Sequence, residues 1–156
     1  GENNALVRIK RDGTGRTQIT TAPVMDKFGV SPDGEWVLAW SPGSAEKAPP
    51  GTFAIPTHGG ASTRICDGCW ATWSADGRFF YATLTVSPRA TLAIPVPVGK
   101  SLPDLPATGI AFGTAGLELP SARVIEHDAV SPGPDPSTYL FTKTDPQRNL
   151  FRIPLH

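Results

Sequence analysis

Apolar residues along this chain come in short dense bursts separated by turn-forming residues. Two bursts, "WVLAW" (36–40) and "FFYATL" (79–84), place apolar side chains at both odd and even positions. A strand with one wet face would alternate, so these two predict strands covered on both sides. Between them recur shorter units: "LVRIKRDGTGRTQIT" (6–20), "FAIPTHGGASTRIC" (53–66) and "LAIPVPVGKSLPDLP" (92–106). Each has a short apolar strand and a glycine-bearing turn, and the first two add a return strand ending in isoleucine and a small residue, which predicts hairpins. Glycine and proline total 33, and the longest stretch free of both, Ser121 to Ser131, has 11 residues. That is about one average helix. Because proline removes a backbone donor and glycine costs backbone entropy, the pattern predicts strand and turn throughout.

The dense bursts belong to a repeat. "GVSPDGEWVLAW" (29–40) and "ATWSADGRFFYATL" (71–84) each carry Ser-x-Asp-Gly before the burst: Ser31, Asp33 and Gly34 in one, Ser74, Asp76 and Gly77 in the other. Asp-Gly between apolar runs signals a tight hairpin, since glycine takes the positive φ at no steric cost. A degraded third copy, "AVSPGPDPSTYLFTKT" (129–144), puts Ser131 at the place of Ser31 and Ser74 and predicts a longer turn through Gly133, Pro134, Asp135 and Pro136. The chain closes on "NLFRIPLH" (149–156), a further version of the "FAIP" and "LAIP" strand. Ser31 to Ser74 is 43 positions and Ser74 to Ser131 is 57. A period near 40–45 residues with four strands per unit marks a β-propeller blade, the second interval being lengthened by a proline-rich insert. The expected fold is therefore all-β, a partial β-propeller of four-stranded antiparallel blades: about two complete blades plus parts of two others. The pieces fall at approximately 1–22, 23–66, 67–120 and 121–156. With a third strand at each end, Ala5–Ile9 and Asn149–Leu155, the chain reads as a C-terminal piece of a larger ring whose remaining blades and closing strand come from elsewhere in the parent.

These repeats, each preceded by a strand–turn–strand of the "RIKRDGTGRTQIT" kind, resemble TolB-type, WD-repeat-like propeller blades. More narrowly, "GKSLPDLPATGI", "ARVIEHDAVSPGPDPSTYLF" and "QRNLFRIPLH" are similar to the tail of propeller regions attached to bacterial serine/threonine kinase-like receptors. The resemblance implies a non-enzymatic binding or scaffold module, the sensory or protein-interaction part of such a receptor. Its loops or central channel would take a protein, peptide or small ligand. The alternative is a propeller that gates a prolyl-oligopeptidase-like or tricorn-like hydrolase; a purely structural envelope repeat is a third reading. No kinase glycine-rich loop, catalytic loop or Asp-Phe-Gly motif is present in the chain.

Composition narrows partners more than activity. In 156 residues, 14 basic and 14 acidic side chains balance, so no overall field gathers nucleic acid or an anionic membrane. An apolar fraction of 39% is ordinary for a globular domain. No apolar run approaches the ~20 residues of a membrane-spanning helix, so no membrane insertion is expected of this segment. An extracytoplasmic setting is favoured, any tether lying outside the segment.

Candidate chemistry is sparse, and no cofactor is expected. Cys66 and Cys69 in "RICDGCW" could be a structural turn, reduced or disulfide-closed, a redox dithiol, or half of a zinc site; Trp70 stands where haem attachment needs histidine. "VPVGKS" (96–101) ends like a phosphate loop, but Ile94 occupies the position of the required glycine, and Leu102 and Pro103 follow where a helix should start. His127, Asp128 and Ser131 are close in sequence, which is not triad geometry, and no nucleophile elbow exists. Asp12, Asp33 and Asp76 precede glycines without calcium-loop spacing, so turn formation accounts for them. Trp36, Trp40, Trp70, Trp73, Phe79 and Phe80 could stack bases or sugars, but lie in or beside the most apolar strands and are expected to pack between blades.

Overall fold

The computed structural model of the chain describes residues 4–43, 49–87, 89–111, 119–128, 130–133 and 135–143. The strand predicted at Asn149–Leu155 lies outside the described residues. Among the described residues there is no helix; 12 strands form four antiparallel sheets. A hairpin of β1 (Val7–Arg8) and β2 (Thr17–Gln18) comes first. Sheet one follows as a meander of β3 (Asp26–Val30), β4 (Trp36–Ser41), β5 (Gly51–Pro56) and β6 (Thr63–Cys66), paired in that order. Sheet two repeats it with β7 (Cys69–Trp73), β8 (Phe79–Leu84), β9 (Ala90–Pro95) and β10 (Arg123–Ile125). A last hairpin joins β11 (Ser131–Pro132) to β12 (Tyr139–Leu140). The chain is thus all-β, with two complete four-stranded antiparallel sheets flanked by a two-stranded piece on either side.

The apolar bursts sit where their two-faced pattern requires. Along β8, Phe80, Ala82 and Leu84 point to sheet one and pack with Leu38, Ala54 and Ile65, forming the main core. The intervening Tyr81 points the other way and packs with Ala93, Ile125 and Val130, covered in part by Phe79 and Tyr139. The central strands β8 and β9 are thereby buried on both faces, and each large side chain so covered stabilises the fold by roughly 1.5–3 kcal/mol. The edge strands β3 and β7 lie against each other, so the two sheets stack with their first strands together.

The second sheet departs from the expected boundary at residue 120. Its fourth strand is Arg123–Ile125, paired in register with Thr91–Ala93, so the unit runs on to Ile125. The reason is the connection from Val96 to Ala122. Pro97, Pro103 and Pro106 each lack a ladder donor, so this segment cannot return beside β9. It crosses to sheet one instead, where Ile110 N–H donates to the Ile65 carbonyl at 2.7 Å and Ile110 forms a parallel bridge with Cys66. Gly109 permits this approach: its φ is +76°, and a Cβ there would lie 2.7 Å from the Ile65 oxygen. Leu102, Leu105, Ile110, Leu119 and Ala122 from this connection all pack on the main core.

Candidate functional site

Three places bear the residues that the sequence singles out: the Ser-x-Asp-Gly corners, the cysteine junction and the aromatic positions of the first strands. The corners of the two four-stranded sheets are the same structure. In the first, Ser31 Oγ donates to Asp33 Oδ1 at 2.5 Å and accepts from Trp36 N–H at 2.9 Å, while Asp33 Oδ1 also accepts from Glu35 N–H at 3.0 Å. In the second, Ser74 Oγ donates to Asp76 Oδ1 at 2.7 Å and accepts from Phe79 N–H at 3.0 Å, and Asp76 Oδ1 accepts from Arg78 N–H at 3.0 Å. Gly34 and Gly77 close the turns with φ of +79° and +72°, donating to the carbonyls of Ser31 and Ser74. These hydrogen bonds explain the carboxylates: Ser74, then the Arg78 backbone and side chain, lowers Asp76 to about 2. Asp33 is lowered chiefly by Ser101, then by Ser31.

The third corner corrects the sequence reading of Ser131. Gly133 N–H donates to the Thr138 carbonyl, the five-residue closure that Ser31 N–H makes to Trp36 and Ser74 N–H to Phe79. Asp135 Oδ1 accepts from Ser137 N–H at 2.8 Å, as Asp33 does from Glu35. The equivalent of Ser31 and Ser74 is therefore Gly133, 59 residues after Ser74, and the turn keeps the same closure length. Ser131 lies two residues earlier, on β11 opposite Leu140. Ser131-Pro132 copies the Ser31-Pro32 pair of the first corner, while the hydrogen bonds follow Asp135. With glycine in place of serine, no hydroxyl caps the Thr138 N–H, which bonds the Asp135 carbonyl at 3.1 Å.

Of the readings open for the cysteines, the structure has Cys66 and Cys69 joined as a disulfide across the link from β6 to β7, both almost fully buried. Thr52 Oγ1 donates to the Cys69 carbonyl at 2.7 Å, tying the junction to β5. Among the described residues no group of three or more His, Cys, Asp or Glu side chains is placed to hold a metal. Lys100 of the false phosphate loop pairs with Asp104 at 2.6 Å, and Gly99 sits in a simple turn closed by Lys100 N–H on Pro97. His127 stacks on Phe141 at 3.9 Å, and Asp128 pairs with Arg89, so the suspected triad is dispersed. Asp12 caps Thr14, as a turn residue does.

The aromatic positions divide. Trp73 and Phe80 are buried and meet edge to face at 5.6 Å, while Trp73 Nε1–H donates to the Ser101 carbonyl at 2.8 Å. Trp36, Trp40 and Phe79 are partly covered. Trp70 breaks the expectation of core packing: 56% of it is exposed. The cause is strand alternation, with Cys69, Ala71 and Trp73 facing sheet one and Trp70 and Thr72 on the other side. That alternation in "CWATW" was readable and would have separated Trp70 from Trp73.

Trp70 stands between two clefts. The larger, about 450 Å³, is lined by Lys27, Phe28, Thr72, Tyr81, Thr83 and Val130 as well as Trp70. The Tyr81 hydroxyl is buried without a hydrogen-bond partner among the described residues, and burial, then the charges of Asp135 and Asp76, raises its pKa. The smaller, about 210 Å³, lies at the end of the seam away from the corners and is walled by Asp26, Phe28, Trp40, Cys69 and Trp70. Asp26, the one ionisable side chain there, was not flagged by the sequence, because only the register Asp26↔Trp40 brings it beside the rings. Among protein families, curated proteins and solved structures, no match to this chain is found.

Proposed function

We propose that the chain is a non-enzymatic binding module made of β-propeller blades, the ligand-sensing or protein-interaction part of a larger bacterial protein such as a serine/threonine kinase-like receptor. The observation that carries the reading is the half-exposed Trp70 on the first strand of a sheet whose central strands are buried, with a cleft on each side of it. A lone exposed apolar side chain carries little by itself, but an indole flanked by two clefts, the smaller lined by further rings, suits a surface that receives a ligand. Recurrence supports the blade reading: successive sheets carry the same corner network, and the two-stranded pieces at either side correspond to half-sheets. Leu140, 77% exposed, and Ile9, 55% exposed, lie at those half-sheets, where neighbouring blades would cover them.

The test is a thermal-shift and calorimetric screen of small polar and charged ligands and short peptides against the chain, with recovery of each compound afterwards. A compound that raises Tm saturably, quenches Trp70 fluorescence and is recovered unchanged fits the proposal. Conversion of compounds without any saturable binder would overturn it.

A further inference from the structure

The smaller cleft has a chemistry of its own. Its walls supply three aromatic rings, Phe28, Trp40 and Trp70, and one carboxylate, Asp26, with no cationic side chain among the lining residues. Asp26 sits directly opposite Trp40 in the β3–β4 register, so carboxylate and indole share one face of sheet one. Its Oδ1 accepts the Lys27 backbone N–H at 2.9 Å, and no ion pair reaches it among the described residues. Lys27 itself lines the larger cleft on the other side of Phe28 and Trp70.

The walls are held in place. The Cys66–Cys69 disulfide anchors the floor, Thr85 Oγ1 donates to the Gly68 carbonyl at 2.8 Å, and Met25 N–H donates to the Trp40 carbonyl at 3.0 Å. The ring contacts of the described residues are made elsewhere, at Trp73–Phe80 and around His127, so these three rings do not satisfy one another.

Aromatic faces present negative quadrupole potential, and a carboxylate beside them adds a full negative charge. Such a cleft attracts a cation, but one whose shell is apolar enough to lie against rings, which a strongly hydrated metal ion or bare ammonium is not. At about 210 Å³ the space is below the roughly 300–1,000 Å³ of drug-sized ligand pockets and suits a head group rather than a whole ligand. We infer that the cleft formed by Asp26, Phe28, Trp40 and Trp70 binds an alkylammonium group, whether on a free small molecule or on a methylated lysine side chain. This rests on the binding-module reading above and names the ligand chemistry of one of its sites.

The test uses the full chain, with choline as probe and 3,3-dimethylbutanol as its uncharged isostere, followed by the indole N–H resonances in nitrogen-edited NMR. Choline is expected to shift the Trp40 and Trp70 signals saturably and to bind about tenfold tighter than the neutral isostere. Trp70→Ala should weaken choline by about tenfold and Trp70→Phe by less, because indole is the strongest of the three ring types toward cations. Asp26→Asn, at an exposed position, should weaken choline about fivefold and leave the isostere unchanged. A short peptide carrying trimethyllysine, run beside its unmethylated form, identifies the source: tighter binding than choline assigns a protein tail, weaker binding a free metabolite. No saturable shift by about 50 mM choline, equal affinity for the isostere, or indifference to Asp26→Asn would each overturn the inference. A different ligand found at Trp70 by the screen would leave the general reading intact while this one fails.

Discussion

At the corner end of the seam between the four-stranded sheets, Asp33 uses both carboxylate oxygens: Oδ1 takes Ser31 and the Glu35 N–H, and Oδ2 takes the Ser101 hydroxyl from the long connection of sheet two. Trp73 beside it is buried, with its indole N–H on Ser101. At the opposite end the same two residue types are finished differently. Asp26 has one backbone donor and no ion pair among the described residues, and Trp70 stands half in solvent between two clefts. An aspartate and a tryptophan thus serve as structure at one end and remain unspent at the other. What separates them is the supply of partners, since the connection 96–122 brings Ser101 only to the corners.

The comparison breaks first at the core. Phe80, fully buried between the sheets, should cost about 3–5 kcal/mol when changed to alanine, measured by denaturant unfolding. A loss below about 1 kcal/mol would mean that the seam is not where the stability resides. Next comes the junction. Replacing Cys66 and Cys69 together by serine removes a short covalent loop, for which chain entropy gives about 2 kcal/mol. Because the same bridge anchors the floor of the smaller cleft, its loss should also broaden the Trp70 indole resonance, whereas the Trp73 resonance at the corner end should stay sharp.

The corners sharpen the contrast further. Ser31→Ala and Ser74→Ala each leave a strand N–H and a carboxylate short of a partner at a buried site, and each should cost about 1–2 kcal/mol. Matching networks require the two values to agree within about 0.5 kcal/mol. Ser137→Ala, which removes the hydroxyl donation to Asp135 at the exposed third corner, should cost less than about 0.5 kcal/mol. A large gap between Ser31 and Ser74 would show that the corners are not equivalent in solution.

How much of this was legible beforehand follows from which interactions are local. The Asp-Gly corners, the two-faced bursts at 36–40 and 79–84 and the hairpins between them depend on neighbours within a few residues, and they form as the sequence predicts. The fourth strand of sheet two was not foreseen, and the approximate boundary at 120 stops short of it, because its position depends on where Pro97, Pro103 and Pro106 send the chain, a matter settled by the Ile65 carbonyl 45 residues away from Ile110. Ser131 was misassigned because two Ser-Pro or Gly-Pro pairs stand two residues apart and only the hydrogen bonds of Asp135 choose between them. The smaller cleft was invisible for the same reason as the strand, since Asp26, Trp40 and Trp70 meet through register and sheet stacking.

Acid should weaken the fold through its corners. Asp76 has a folded pKa of about 2, below its ordinary 3.8, chiefly through Ser74 and then Arg78, and Asp33 is lowered in the same direction through Ser101 and Ser31. A depressed carboxylate contributes stability that is fully present above its unfolded value and is lost as pH falls through the folded one. Melting temperature should therefore be level above about pH 5 and decline between about pH 4 and 2. Asp76→Asn should flatten that decline while lowering the plateau, and a decline centred above pH 5 would point to groups other than these corners. Solvent exposure of Asp76 keeps the effect smaller than that of the serines.

A small effect on stability also belongs to the residue of greatest functional interest. Trp70→Ala removes the largest side chain type from β7, yet with 56% of it in solvent it should change unfolding stability by less than about 1 kcal/mol. Trp73→Ala, three residues along the same strand but buried in the main core, should cost about 3–5 kcal/mol. The pair forms an internal control, because strand, residue type and backbone pairing are shared and only the facing side differs. If Trp70→Ala proved as destabilising as Trp73→Ala, the indole would be a packing element whose cover is supplied by the chain itself, and the open end of the seam would lose its claim to be a binding surface. A near-silent Trp70→Ala leaves the ring without a structural reason for its position, which is the condition that a receiving surface has to meet.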